Sequence, residues 1–259
     1  MGHHRLGRLP ASKLWRQVVS ELGSGADLNA VAAAVAKAAE SNLKSASGDP
    51  AFLHAFWLLT QIPLAARGPD FVGDLRRLDV DVPDGPHLFD VTAALSESVD
   101  AHSRGQPGRT DLGEMAKLAA VETLSTMVGR DLPSLFSPSP DEVRKSIGRF
   151  ASGDNFSKLA RDFFAGLTQR SLHYYLSREL SNHIGPGDRF ADDGQQVAFN
   201  QALDRHCREV SRIIETFAGG WYGKNVYQGD GLTPDDVRRF APIAFKKIRA
   251  ELGKRSDVA

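Results

Sequence analysis

Cys207 is the only cysteine in the chain, so no internal disulfide can form and packing alone must hold the fold together. So little thiol fits a reducing compartment, and the cytosol is the expected setting. Net charge is missing too: 32 basic and 32 acidic residues cancel, which argues against a domain whose main business is to wrap a polyanion through bulk charge. A local basic face is still allowed. Long apolar runs are also scarce. The best candidate, Pro50 to Ala66 (PAFLHAFWLLTQIPLAA), carries no formal charge but falls short of the ~20 apolar residues that a membrane-spanning helix needs, and it contains His54, Thr60, Gln61 and Pro63. It reads as a buried core helix. The opening MGHHRLGRLP lacks the apolar stretch of a secretory signal, and Leu6 stands where a myristoylation signal would place Ser or Thr.

Catalytic and metal-binding signatures are absent as well. No Gly-x-Ser-x-Gly elbow, His-Glu-x-x-His helix or paired-cysteine zinc pattern occurs. Asp79, Asp81 and Asp84 make a short acidic loop, but Pro83 intrudes, the glycine comes one residue late for a calcium loop and no glutamate closes the coordination. An acidic turn is expected there. No metal and no cofactor follow from these residues.

Strand signals are nearly missing; the best short candidate, LDVDVPDG, runs into Pro83. What is present is helical periodicity in an ordinary globular composition, 41% hydrophobic and 25% charged over 259 residues. Helices are predicted at 11–23, 27–47, 50–66, 69–78, 87–103, 111–129, 140–151, 154–184, 193–219 and 233–252. The expected fold is all-α, about ten helices, with layered short helices followed by a bundle of longer ones. An alanine-rich region over 1–138 and a long-helix region over 139–259 are the natural division, unless the two form one continuous helical domain. The starts SPDEVRK from Ser139 and TPDDVRR from Thr233 share an N-cap hydroxyl, a proline at the first helical position and early acids.

The stretch FAGGWYGKN, Phe217 to Asn225, carries the sharpest question. A phosphate loop needs two glycines separated by four residues, then Lys and a hydroxyl, entered from a strand. Here three residues separate Gly219 from Gly223, Asn225 takes the hydroxyl position and a helix precedes, so that reading fails. A glycine cap ending the helix is expected instead, displaying Trp221 and Tyr222 near Lys224 and Tyr227 as an anchor for a protein partner. Upstream, Phe199, Leu203, Cys207, Val210, Ile214 and Phe217 form one apolar stripe, where the thiol of Cys207 would be buried and inert. Opposite it stand Arg205, Arg208 and Arg212, with Glu209 placed to pair with Arg205.

In the last helix Val237, Phe240, Ile243, Ala244 and Ile248 face inward, while Arg238, Arg239, Lys246, Lys247 and Arg249 make the most basic region of the chain. In 154–184 the apolar side rotates beyond Gly166, which points to a kink or a change of packing partner, and His173, Tyr174 and His183 crowd the second half. Three functions follow. The first is a non-catalytic helical subunit that binds a protein partner through Trp221, Tyr222, Lys224, Tyr227 and the basic last helix. Its expected setting is a cytosolic bacterial assembly, of which a phage-defence system is one example. The second is a nucleic-acid-binding accessory protein that uses the arginine row and the basic last helix. The third is an enzyme with a non-local site around His173, Tyr174 and His183, with Asp192 or Asp193.

Overall fold

The computed structural model describes residues 13–38, 47–104, 110–132, 138–229 and 231–254. Helices α1 (Lys13–Gly23) and α2 (Leu28–Ala38) form a first pair. They are followed by α3 (Pro50–Arg67), α4 (Phe71–Arg77), α5 (Leu88–Arg104), α6 (Asp111–Gly129) and α7 (Pro140–Gly148). The last four are α8 (Gly153–Leu180), α9 (Asp193–Val210), α10 (Arg212–Tyr227) and α11 (Pro234–Lys254), with α8 and α11 the longest helices among the described residues. Among the described residues the only extended pairing is an isolated bridge between Ile184 and Phe190. The fold is all-α, and no helix among these residues is long and apolar enough to cross a membrane. The part of the predicted 27–47 helix beyond Ala38 falls largely on residues 39–46, outside those described.

The uncharged segment predicted as a core helix is α3, which is buried along most of its length and packs against α4, α5, α6, α7 and α11. Phe56 at its middle touches aromatic rings from three later helices: Phe163 and Phe164 of α8, Trp221 of α10 and Phe240 of α11. Residues on both sides of position 138 therefore enter one buried cluster. Aromatic pairs in such offset and edge contacts add roughly 0.5–1.5 kcal/mol each beyond their buried area.

Capping follows the residues read from sequence. Ser139 and Glu142 form a reciprocal capping box on α7, and Thr233 with Asp236 does the same on α11, the Thr233 amide donating to Asp236 at 2.9 Å. Hydrogen bonds from Thr233 and Arg239 hold the Asp236 carboxyl down at about 2. At the start of α3, Asp49 accepts from the Phe52 amide at 2.9 Å and also from the hydroxyl of Thr110, itself the N-cap of α6. The ends of α3 and α7 cap each other as well: Arg144 donates to the carbonyls of Ala66 and Gly68, and Arg67 to that of Gly148.

Two local expectations are corrected, and a third keeps one of its two alternatives. The predicted 193–219 helix breaks at Ser211 and resumes as α10, which runs to Tyr227. FAGGWYGKN is therefore helix interior and not a cap. In α11 Ile243 is 50% exposed, and Ala241 and Phe245 take the inward positions instead, with the helix unbroken through Pro242. Helix α8 likewise runs unbroken through Gly166, so its rotating apolar side reflects a change of neighbours.

Candidate functional site

The three glycines of FAGGWYGKN sit in different environments. A Cβ on Gly219 would come within 2.8 Å of the Gly153 carbonyl oxygen, and one on Gly153 within 2.9 Å of that of Gly219. Backbones of α8 and α10 touch there, and only glycine fits. A Cβ on Gly220 or Gly223 would meet nothing within 4 Å. Each glycine inside a helix costs about 1 kcal/mol relative to alanine, and internal packing requires neither of these two.

Tyr222 is fully buried, stacked on Phe156 with ring centroids 4.0 Å apart, and its hydroxyl donates to the Thr60 carbonyl at 3.2 Å. Burial raises its pKa. It belongs to the core, which corrects the expectation that it is displayed. Trp221 is half-buried against Phe240, 4.3 Å between centroids. The solvent side of α10 carries Arg212, Thr216, Gly220 and Lys224 at four-residue spacing, then Tyr227, which is 58% exposed. The Tyr227 hydroxyl donates to the Ala151 carbonyl, so an exposed ring is fixed at its far end. Beside it the Asn225 side chain donates to the Trp221 carbonyl at 2.7 Å.

The basic residues fall into separate environments. Arg205, Arg208 and Arg212 are exposed as expected, but Glu209 pairs with Arg212 at 3.3 Å and not with Arg205. Arg238 and Arg239 are tied to Asp235 and Asp236 of their own first turn, at 2.5 and 2.8 Å. Lys247 lies 5.2 Å over the ring of Phe217. Lys246 and Arg249 face a cleft against α1 and α2.

His173 meets Asp204 of α9 at 2.7 Å and Tyr174 donates to Asp111 at the start of α6 at 2.5 Å. Pattern reading missed Asp204 because its partner lies on another helix. Asp192 accepts from the Gln195 amide as the N-cap of α9, and Asp193 opens that helix. No hydrogen bond among the described residues joins either carboxylate to His173 or His183. Cys207 is buried, its thiol pushed up to about 12 by burial first and Asp204 second, as an inert core position requires. In the acidic turn, Arg76 pairs with Asp84 at 3.0 Å and Asp81 at 3.7 Å.

A histidine pair unmarked in the sequence joins α3 to α5. His54 stacks on His102 at 4.2 Å with planes 8° apart, and its Nε2 lies 3.0 Å from the Ser98 hydroxyl. Burial first, then His102, hold His54 down to about 4, with Asp79 partly opposing. Nitrogen lone pairs of parallel rings do not converge on a shared metal. Among the described residues no group of three or more His, Cys, Asp or Glu could hold one. No family model, curated protein or solved structure matches the chain.

Proposed function

We propose that the chain is a non-catalytic helical subunit of a cytosolic assembly, binding a protein partner through the solvent face of α10. One observation carries the reading: Tyr227 presents a ring more than half exposed yet anchored through its hydroxyl to Ala151. An aromatic already held in place loses little conformational freedom on binding, and Tyr is among the residues that dominate interface hot spots. Around it, Gly220 and Gly223 leave the helix backbone open to close approach, the free edge of Trp221 adds apolar surface and Lys224 offers a charge. The partner this face fits crosses α10 closely, sets an apolar side chain on Tyr227 and brings a carboxylate to Lys224.

Nucleic-acid binding is the weaker reading, because Arg238 and Arg239 already satisfy carboxylates of their own helix. The test is capture from native extract with wild type and Tyr227→Ala, each confirmed folded by circular dichroism. A stoichiometric partner lost in the variant is expected. A partner retained equally by both proteins would remove the α10 face from the account.

A further inference from the structure

We infer that a cleft between the α1–α2 pair and the C-terminal half of α11 is a second binding site, built for an acidic peptide segment of a protein partner. It encloses about 600 Å³, inside the range of roughly 300–1,000 Å³ typical of ligand sites. Two of its walls are regular helix faces, and α1 adds Gln17 and Glu21. From α2 come Ala30, Ala33, Ala34 and Lys37, and from α11 come Lys246, Arg249, Ala250 and Gly253, each set spaced i, i+3, i+4, i+7. Alanine and glycine leave the floor without long side chains, so a bound backbone can lie close to both helices. The long side chains there are mostly cationic.

Lys37, Lys246 and Arg249 outnumber the one carboxylate in the lining, Glu21. None of the ion pairs shown among the described residues uses Lys37 or Lys246. Basic residues near a helix C-terminus complement its dipole, and that suffices for Lys37 in the last described turn of α2. It does not account for Lys246, two turns before the end of α11. A concave wall concentrates the field of such charges and favours an anionic ligand. The positive field is short, because the first-turn arginines of α11 are neutralised locally and Glu21 breaks the lining, so the cleft suits a few carboxylates better than a continuous phosphate track. Glu21 would then select a basic residue within the acidic segment. The site shares no lining residue with the α10 face.

The experiment is fluorescence anisotropy of a labelled octaglutamate peptide titrated with the full chain, at low and at high salt, with a labelled twelve-nucleotide single strand as the second probe. Saturable peptide binding is expected, weakened at least tenfold in the Lys37→Glu, Lys246→Glu double variant and by less than twofold in Arg238→Ala, Arg239→Ala. Both lysines are exposed, so the double variant should keep its helical spectrum and still capture the Tyr227-dependent partner. Loss of peptide binding with that capture intact supports the cleft alone. Absence of peptide binding, equal weakening in both variants, or preference for the oligonucleotide overturns the proposal.

Discussion

The two halves of α8 are held in different ways. From Gly153 to about Gly166 the helix is fixed by burial: Phe156, Phe163 and Phe164 are fully enclosed by rings from α3, α10 and α11, and the backbone meets α10 at Gly219. Polar ties occur along both halves, Arg161 to Glu215 at 2.9 Å in the first and His173 to Asp204 and Tyr174 to Asp111 in the second, where Tyr175 also stands against Trp15 at 6.0 Å. Apolar burial is worth roughly 1.5–3 kcal/mol for each large side chain, whereas a partly exposed ion pair is worth about 1 kcal/mol or less. The first half thus carries the aromatic core, while the second buries the smaller Leu172, Leu176 and Leu180 beside its polar ties.

The largest expected effect breaks the first half. Phe163→Ala should cost about 3–5 kcal/mol in urea unfolding, against about 1 kcal/mol or less for His173→Ala, whose pair with Asp204 is partly exposed. Comparable losses would erase the distinction between the two halves.

A pH series sharpens the contrast between apolar and polar contacts. Burial keeps His54 neutral in the folded chain down to about 4, so between the ordinary 6.5 and about 4 the unfolded chain binds a proton that the folded chain does not. Stability should therefore fall as pH is lowered through that window, by at most about 1.4 kcal/mol per pH unit. His54→Gln should flatten that slope while Phe163→Ala leaves it unchanged. An unchanged slope in His54→Gln would place the pH dependence elsewhere.

The smallest effect separates the glycines of α10. Gly220→Ala should raise stability by about 0.5–1 kcal/mol, because it removes a helix penalty without meeting another atom. Gly219→Ala, forced against the Gly153 carbonyl, should lower it. Opposite signs at adjacent residues would confirm that only one glycine serves the fold.

The amphipathic stripes were legible because burial leaves a period: Leu203, Cys207, Val210 and Ile214 are buried as their spacing indicated. Helix starts at Ser139 and Thr233 were legible because caps are local chemistry. The course of FAGGWYGKN was not. Glycine ends many helices, and nothing nearby in sequence reveals that Gly153 on another helix demands Gly219. Tyr222 looked like Trp221 in the sequence, yet one side of α10 faces Phe156 and buries it completely. The cleft was half visible, in Lys246 and Arg249, while Lys37 lay in a run of alanines that signalled only close packing.

A partner seated on the α10 face would lie over Gly220. The most direct measurement places a photo-crosslinking p-benzoylphenylalanine at Gly220, where the helix is open to solvent, and compares it with the same probe at exposed Leu118 of α6. After irradiation in native extract, one discrete heavier adduct from position 220 and none from position 118 is the predicted result. No adduct at 220, or the same adducts from both positions, would contradict it.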